Sequence, residues 1–575
     1  VEGNPGGVTI TTSSLEAKNG AIISADNLGK GNIGGITITT DSLEVKNGAI
    51  ISTSTFAKGD AGTVNISATD TVVFDGGDSI SPVASMVGPG AEGDGGSVTI
   101  TTKSLEVKNG AVISAGTVAK GNGGSIIITT ESLEVKNGAR ITVSTHAKGD
   151  AGTVDINATE TVVLDGGDSI AGVASQVLSG AKGSGGVVTI ATSSLEVKNG
   201  ALITVGTAGK GNGGDVTITT ESLEVKNDAF ISASTSAKGD AGTVNINATE
   251  TVVLDRENSE ILTGVTSSVT PGAEGNAGGV TITTGSLEVK NGAQILASTL
   301  PESTGNGGDI SIDTTKVTIT NSSEIAVSSA GQGNGGNIFL SAGDLFLDRA
   351  SKVSAITASG QGGNMTFNIA NLFSLRNNSP ISTTAGGTGN GGNINLSTEF
   401  FLARDDSDIT ANAFEGNGGN ISIATQGIFS FPNSTIDASS QLGIDGVIEI
   451  NTPDIDPSQG LIKLSENVVD PDQLISQNPC LQGEESEYII TGRGGLSPSP
   501  AQTLNSDPLE VGLVEAATGT AATVTPPPPP TSTAQIVPAK GWKLNEKGEV
   551  ILVSYDPTNT QVQKHRANPA TCQPR

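Results

Sequence analysis

The chain has 575 residues, of which 35% are hydrophobic and 3% aromatic, with 79 glycines. It is too long for one ordinary core and too poor in large side chains for a layered globular enzyme, whereas a repetitive solenoid can build its core from stacked Val, Ile, Leu and Ala. Lys and Arg number 30 against 59 Asp and Glu, a net charge of −29; this repels phosphate backbones, argues against nucleic acid as a partner, and keeps a sheet-rich surface soluble.

The chain opens at Val1 inside a repeat, with no initiator Met or signal peptide. It is therefore expected to be the C-terminal part of a longer protein. No run of about 20 apolar residues occurs, so no membrane-spanning helix is expected.

The octapeptide SLEVKNGA, at Ser42 to Ala49, recurs from Ser104, Ser132, Ser194 and Ser286, with variants from Ser14 (SLEAKNGA) and Ser222 (SLEVKNDA). Each unit opens on Gly-Gly or a variant, runs through VTITT or a relative, then SLEVKNGA, then a second alternating run such as IISTST, and closes on a Gly/Asn/Lys-rich turn. The first inward residue of each unit is Val8, Ile36, Val64, Val98, Ile126, Val154, Val188, Val216, Val244 and Val280, spaced 28, 28 and 34, the same again, then 28, 28 and 36. Units thus group in threes, and duplication of a three-unit block is the simplest origin. The marker continues with drifting letters at Ile310, Ile338, Met365, Ile394, Ile421 and Ile448, giving 16 units.

Within a unit the apolar period is two: Leu43 and Val45 face in, Thr9, Glu44 and Lys46 face out. Period two means strands with one buried face. The expected fold is all-β, a right-handed parallel β-helix of about 16 coils of ~28 residues, each coil made of three short strands separated by Gly or Asn-Gly corners. At ~4.8 Å per coil the rod would be on the order of 75 Å long. A fully buried aliphatic side chain contributes about 1.5 to 3 kcal/mol, which offsets ordering entropy only where neighbouring coils cover it, so single coils should not fold alone.

At the corners, Gly20, Gly48, Gly110, Gly138, Gly200 and Gly292 supply a positive φ. The preceding Asn19, Asn47, Asn109, Asn137, Asn199 and Asn291 either bond along the stack as an amide ladder or reflect simple Asn-Gly turn preference, and both readings are structural. Every third unit replaces KNGA with FDGGDSI (Phe74 to Ile80) or LDGGDSI (Leu164 to Ile170), followed by a longer loop such as Val83 to Asp94. Its six to eight extra residues are expected to bulge from the rod once in three coils, where a solenoid can present specific surface.

The β-helix is expected over 1–455, ending where NTPDIDPSQG breaks the repeat. A capping and tail segment (456–500) follows, with Leu461 to Val469 as a final pairing segment. Next come a Pro/Ser/Thr-rich linker (501–540) containing Pro526 to Pro530, and a small C-terminal β-hairpin (541–575) turning at Asn545 to Gly548 beside Trp542.

Parallel β-helices also host polysaccharide lyases and hydrolases, which need carboxylates converging with a base or metal. Here Glu44, Glu106, Glu134, Glu196, Glu224 and Glu288 each stand two residues before a lysine, and a stripe repeated coil by coil reads as a solvated, charge-paired face rather than a catalytic centre. His146 and His565 have no partners at ligand spacing. Asp75 with Asp78 and Asp165 with Asp168 sit in Gly-rich corners and are weak candidates for Ca²⁺, against the default of acidic turn residues. The outward pairs Thr9/Thr11 and Thr37/Thr39 resemble the flat arrays of β-helical ice-binding proteins, but Asn65 and Ser67 break the lattice. Exposed aromatic platforms for sugars are almost missing from the repeats.

The repeat GNGGxITITTxSLEVKNGAxISAST, the closing NPCLQGEESEYIITGRGGLSPSP at Asn478 to Pro500, the proline linker and the terminal Cys572 together resemble the C-terminal part of a filamentous haemagglutinin-like exoprotein. The resemblance covers nearly the whole chain. It implies a two-partner secretion substrate, exported by an outer-membrane β-barrel transporter that recognises an N-terminal domain not present here. It implies further a fibre at the outer cell surface or outside the cell that meets a host, neighbouring-cell or matrix surface. The only cysteines, Cys480 and Cys572, suit an exported protein, and by this resemblance they are candidates for a surface-retaining disulfide. Its loop of about 90 residues would contribute ~4 to 5 kcal/mol in the chain-entropy model. The expected function is thus a structural or adhesive fibre without catalytic role; the alternatives are a β-helical polysaccharide-acting enzyme and a Ca²⁺-stiffened spacer.

Overall fold

Alternating runs of β-branched residues cannot bury their apolar side alone, and here they do so by stacking on their own repeats. The computed structural model describes residues 6–453, apart from 32, 78, 258, 260, 431 and 432, together with the strands at 541–544 and 550–553. The chain divides into two compact units, Val1–Ile455 and Asp456–Arg575. The first is a parallel β-helix; no helix occurs among the described residues. In the second, Gly541–Leu544 pairs antiparallel with Val550–Val553. The expected capping segment, proline linker and both cysteines lie outside the described residues.

All sixteen marker residues stand in register. Val8 pairs with Ile36, Ile36 with Val64 and Val64 with Val98, and the series continues unbroken to Ile421 with Ile448. The strands fall into one parallel sheet of 19 strands and another of 15. The first sheet carries the VTITT and SLEVK runs of each coil, as in Ile36–Lys46, and the second the short run after the Asn-Gly turn, as in Ile50–Ser52. A third contact, one bridge wide, runs Asn27, Thr55, Val87, Thr117 and onward to Ser440.

One expectation needs correcting. The VTITT and SLEVK runs are not separated by a Gly or Asn-Gly corner; in most coils they form one bent strand, split in two only at Val8–Lys18, Ser97–Lys108 and Val187–Lys198. In the regular blocks, outside the third coils, which carry Ala68, Ala158 and Ala248 at this place, an inward threonine stands at the junction. Thr40 is buried and its hydroxyl donates to the Ser42 carbonyl at 2.9 Å; Thr102, Thr130, Thr192 and Thr220 repeat this at 2.9 to 3.3 Å. A hydroxyl that returns to its own backbone lets the strand turn without leaving a buried polar atom unpaired.

The core is one continuous column from Ala17 to Ala438. Ile36, Ile38, Val45 and Ile51 are fully buried, whereas Val8, Ile10 and Leu15 of the first coil are only partly covered. In the drifted coils phenylalanines fill the column: Phe373 lies 5.3 Å from Phe367 and 5.5 Å from Phe401, ring centre to ring centre.

The extra residues of the third coils do not form one bulge. Where Thr40 and Ser42 face Ala68 and Thr71, one residue is absorbed at the bend. Between the pairs Lys46/Asp75 and Ile51/Val83, three more enter the GGDSI corner. Between Thr55/Val87 and Lys58/Glu92 the remaining two enter the Gly-rich turn. Spreading six residues over three corners keeps every apolar position in register, since a slip of one residue would turn the inward face outward.

Candidate functional site

The Asn-Gly corner is a tight turn with two consecutive positive φ angles, 52° at Asn47 and 79° at Gly48, closed by the Ala49 N–H donating to the Lys46 carbonyl at 3.2 Å. This is the φ signature of a type I′ turn, for which Asn-Gly is the preferred pair. Asn109/Gly110, Asn137/Gly138 and Asn199/Gly200 repeat it with φ of 51–52° and 77–79°. The drifted coils keep the geometry with other letters: Asn321/Ser322, Arg349/Ala350, Asn377/Asn378 and Asp405/Asp406 all have φ between 52° and 62°.

The amide ladder is present and comes in blocks. Asn137 donates Nδ2 to Asn109 Oδ1 at 3.2 Å, and Asn109 to Asp75 Oδ1 at 2.9 Å. Asn227, Asn199 and Asp165 repeat the series at 2.7 and 2.9 Å, and Asn321, Asn291 and Asp255 at 2.8 Å each. Asp75 and Asp165 are therefore the acceptor ends of amide ladders. Each also accepts an N–H two residues on, from Gly77 and Gly167, and lies 3.9 Å from Lys108 and Lys198 respectively. Asp168 is exposed, and Asp78 lies outside the described residues. Among the described residues no group of three or more His, Cys, Asp or Glu is gathered as a metal site.

The Glu/Lys stripe is built in pairs of coils rather than in every coil, because the third coil replaces Glu and Lys with Val73 and Asp75, or with Val163 and Asp165. Lys46 bridges Glu16 at 2.8 Å and Glu44 at 2.9 Å; Lys136 bridges Glu106 and Glu134, and Lys226 bridges Glu196 and Glu224, at 2.6 to 2.9 Å. Hydrogen bonds from Lys18 and then Lys46 pull the Glu16 carboxyl down to about 2. For Glu106, partial burial works to raise the carboxyl, but hydrogen bonds from Lys108 and Lys136 outweigh it and hold it below the usual range; Glu196 behaves alike. Lys46, Lys136 and Lys226 are held above the ordinary lysine value by the two carboxylates that each bridges. A carboxylate held ionised between two ammonium groups is neither a proton donor nor a base at neutral pH.

Two surfaces escape the repeat-level reading of the sequence. The Gly-rich turns carry a second ladder in which side-chain oxygens accept backbone N–H groups of the next coil: Asp60 from Asp94, Asp94 from Asn122, Asn122 from Asp150, at 2.8 to 3.0 Å. In the drifted coils this ladder is joined by a parallel row, Asn337, Asn364, Asn393 and Asn420, legible in the recurring GNGGN. The same coils also expose aromatics. The outward column that holds Glu288 continues through Thr318, Phe346, Ser374, Leu402 and Phe429. Phe429 and Phe400 are exposed and flank Gly427, where a Cβ would lie 3.1 Å from the Phe400 ring. The expectation that aromatic platforms are almost missing holds for the regular blocks, where Phe56 is the exception, and fails beyond Val280.

Compared with family models, curated proteins and solved structures, the chain matches none. No helix among the described residues is long and apolar enough to cross a membrane.

Proposed function

We propose that the chain is a structural or adhesive rod of a two-partner secretion exoprotein, displayed at the outer cell surface or released, and promoting adhesion or aggregation by many weak polar contacts along its length. The supporting observation is the unbroken register of sixteen coils, whose outward faces in the regular blocks are bridged carboxylates, lysines, threonines and amides. Repeated identical surfaces give avidity without a single strong site. On this reading the partners are an outer-membrane β-barrel transporter during export and a host, neighbouring-cell or matrix surface afterwards. The cysteine pair Cys480 and Cys572 would retain the rod.

The test is immunolabelling of intact cells with antibody to the repeat block, combined with aggregation assays of wild-type and deletion strains. Labelling of unpermeabilised cells with aggregation lost on deletion is expected. Protein found only after lysis would overturn the proposal.

A further inference from the structure

A groove of about 400 Å³ lies across the short sheet from coil 3 to coil 7, with Met86, Val112, Arg140, His146, Gly172 and Leu202 in its lining. Its origin is a gap in a column of side chains. Arg140, Gly172 and Leu202 are successive register partners; Gly172 has a φ of 147° and a Cβ there would run into the Leu202 carbonyl oxygen, so this coil places no side chain between guanidinium and leucine, which stand two coil rises, ~10 Å, apart. The next column, Thr142, Ala174 and Thr204, floors the opening with small side chains. Exposed Ile170 from the GGDSI corner lines the groove together with Leu178 and His146. Gln176 is fixed by its Nε2 donating to Thr204 Oγ1 at 2.8 Å and its backbone N–H to Ser144 Oγ at 3.1 Å.

The charge is out of keeping with the chain. In a molecule of net charge −29, Arg140 is the only arginine before Arg256. His146 is the only histidine among the described residues. Neither makes an ion pair among the described residues. His146 Nδ1 donates to the Thr117 carbonyl at 3.4 Å, which leaves Nε2 without a partner among the described residues.

The other blocks serve as internal controls. Ninety residues earlier the same places hold Ile50, Phe56, Pro82 and Met86 where this block has Arg140, His146, Gly172 and Gln176. In the third block Phe230 and Ser236 stand in place of Arg140 and His146, while Gly264 keeps the place of Gly172. Of the three blocks only the middle one places an arginine and a histidine here, on a glycine-bearing coil that it shares with the third.

We propose that this groove binds an anionic amphiphile: one carboxylate on an apolar body of about ten carbons. The planar guanidinium of Arg140 takes the carboxylate through paired N–H donors, and the apolar body lies over Gly172 and Ala174 against Ile170, Leu178 and Leu202.

The test is calorimetric titration of the full chain with decanoate and, separately, decanol. One decanoate per chain is expected, with decanol about tenfold weaker. Arg140→Ala lowers decanoate to the level of decanol, and Ala174→Leu, which fills the floor, weakens both. Equal affinity for decanoate and decanol, decanoate binding unchanged in Arg140→Ala, or several decanoates per chain would each overturn the proposal.

Discussion

Asn109 Nδ2 lies 2.9 Å from Asp75 Oδ1, across 34 residues of sequence and one coil of structure. Because Asp75 stands where the neighbouring coils carry Lys46 and Lys108, the same carboxylate ends an amide ladder and faces lysines above and below. The three-coil block is thus an electrostatic unit as well as a sequence repeat. Asp75→Ala is expected to cost about 1 to 2 kcal/mol, since it orphans the Asn109 amide and the Gly77 N–H. Asp75→Asn keeps an acceptor and is expected to cost about half as much; urea unfolding followed by circular dichroism orders the two.

The corner glycines are not equivalent. Gly48 and Gly110 have φ of 79° and 77°, but a Cβ on Gly48 would meet Ser79 Cβ at 3.2 Å while one on Gly110 meets nothing within 4 Å. Gly110→Ala is expected to cost about 1 kcal/mol from the left-handed backbone alone, and Gly48→Ala clearly more. Equal melting temperatures for the two variants would contradict this.

Stability follows the bridged carboxylates and lysines at opposite ends of the pH scale. Glu16, Glu106 and Glu196 are depressed below the ordinary 4.5, so their contribution is complete above that value and is lost as pH falls toward the folded value, about 2 for Glu16. Lys46, Lys136 and Lys226 are raised above 10.5, so theirs is complete below 10.5 and disappears as pH rises beyond it. A melting temperature flat between roughly pH 5 and 10 and falling on both sides is expected from these groups. High salt should lower the plateau only slightly, because exposed pairs are screened and individually weak.

Inward and outward neighbours on one strand should differ sharply. Ile128 is fully buried and Thr129 exposed. Ile128→Ala is expected to cost about 2 to 5 kcal/mol, and Thr129→Ala to stay within about 0.5 kcal/mol. Comparable losses would mean that the strand does not have one buried face.

The coil count, the marker register and the inward positions could be read from the sequence because a period of two within a period of 28 has few solutions. The bend at Thr40 could not, since a threonine after ITIT continues the alternation whether the strand is straight or turned. The division of the third-coil insertion escaped for a related reason. Its six residues are contiguous neither in pairing nor in space, and only the register separates Thr71 from the GGDSI corner and the Gly88 turn. The groove beside Arg140 arises from side chains 30 or more residues apart, which meet only once coils are stacked.

The central claim is that residues one repeat apart lie side by side in a parallel stack. Spin labels at Thr217→Cys and Asn245→Cys, register partners on adjacent coils, test it directly in a Cys480→Ser, Cys572→Ser background. A second pair, Thr217→Cys and Thr281→Cys, lies two coils apart. Strong dipolar broadening for the first pair, with backbones about 5 Å apart, and weaker broadening for the second at about 10 Å, is the predicted result. No broadening for the first pair, or the stronger effect in the second, would contradict the stack.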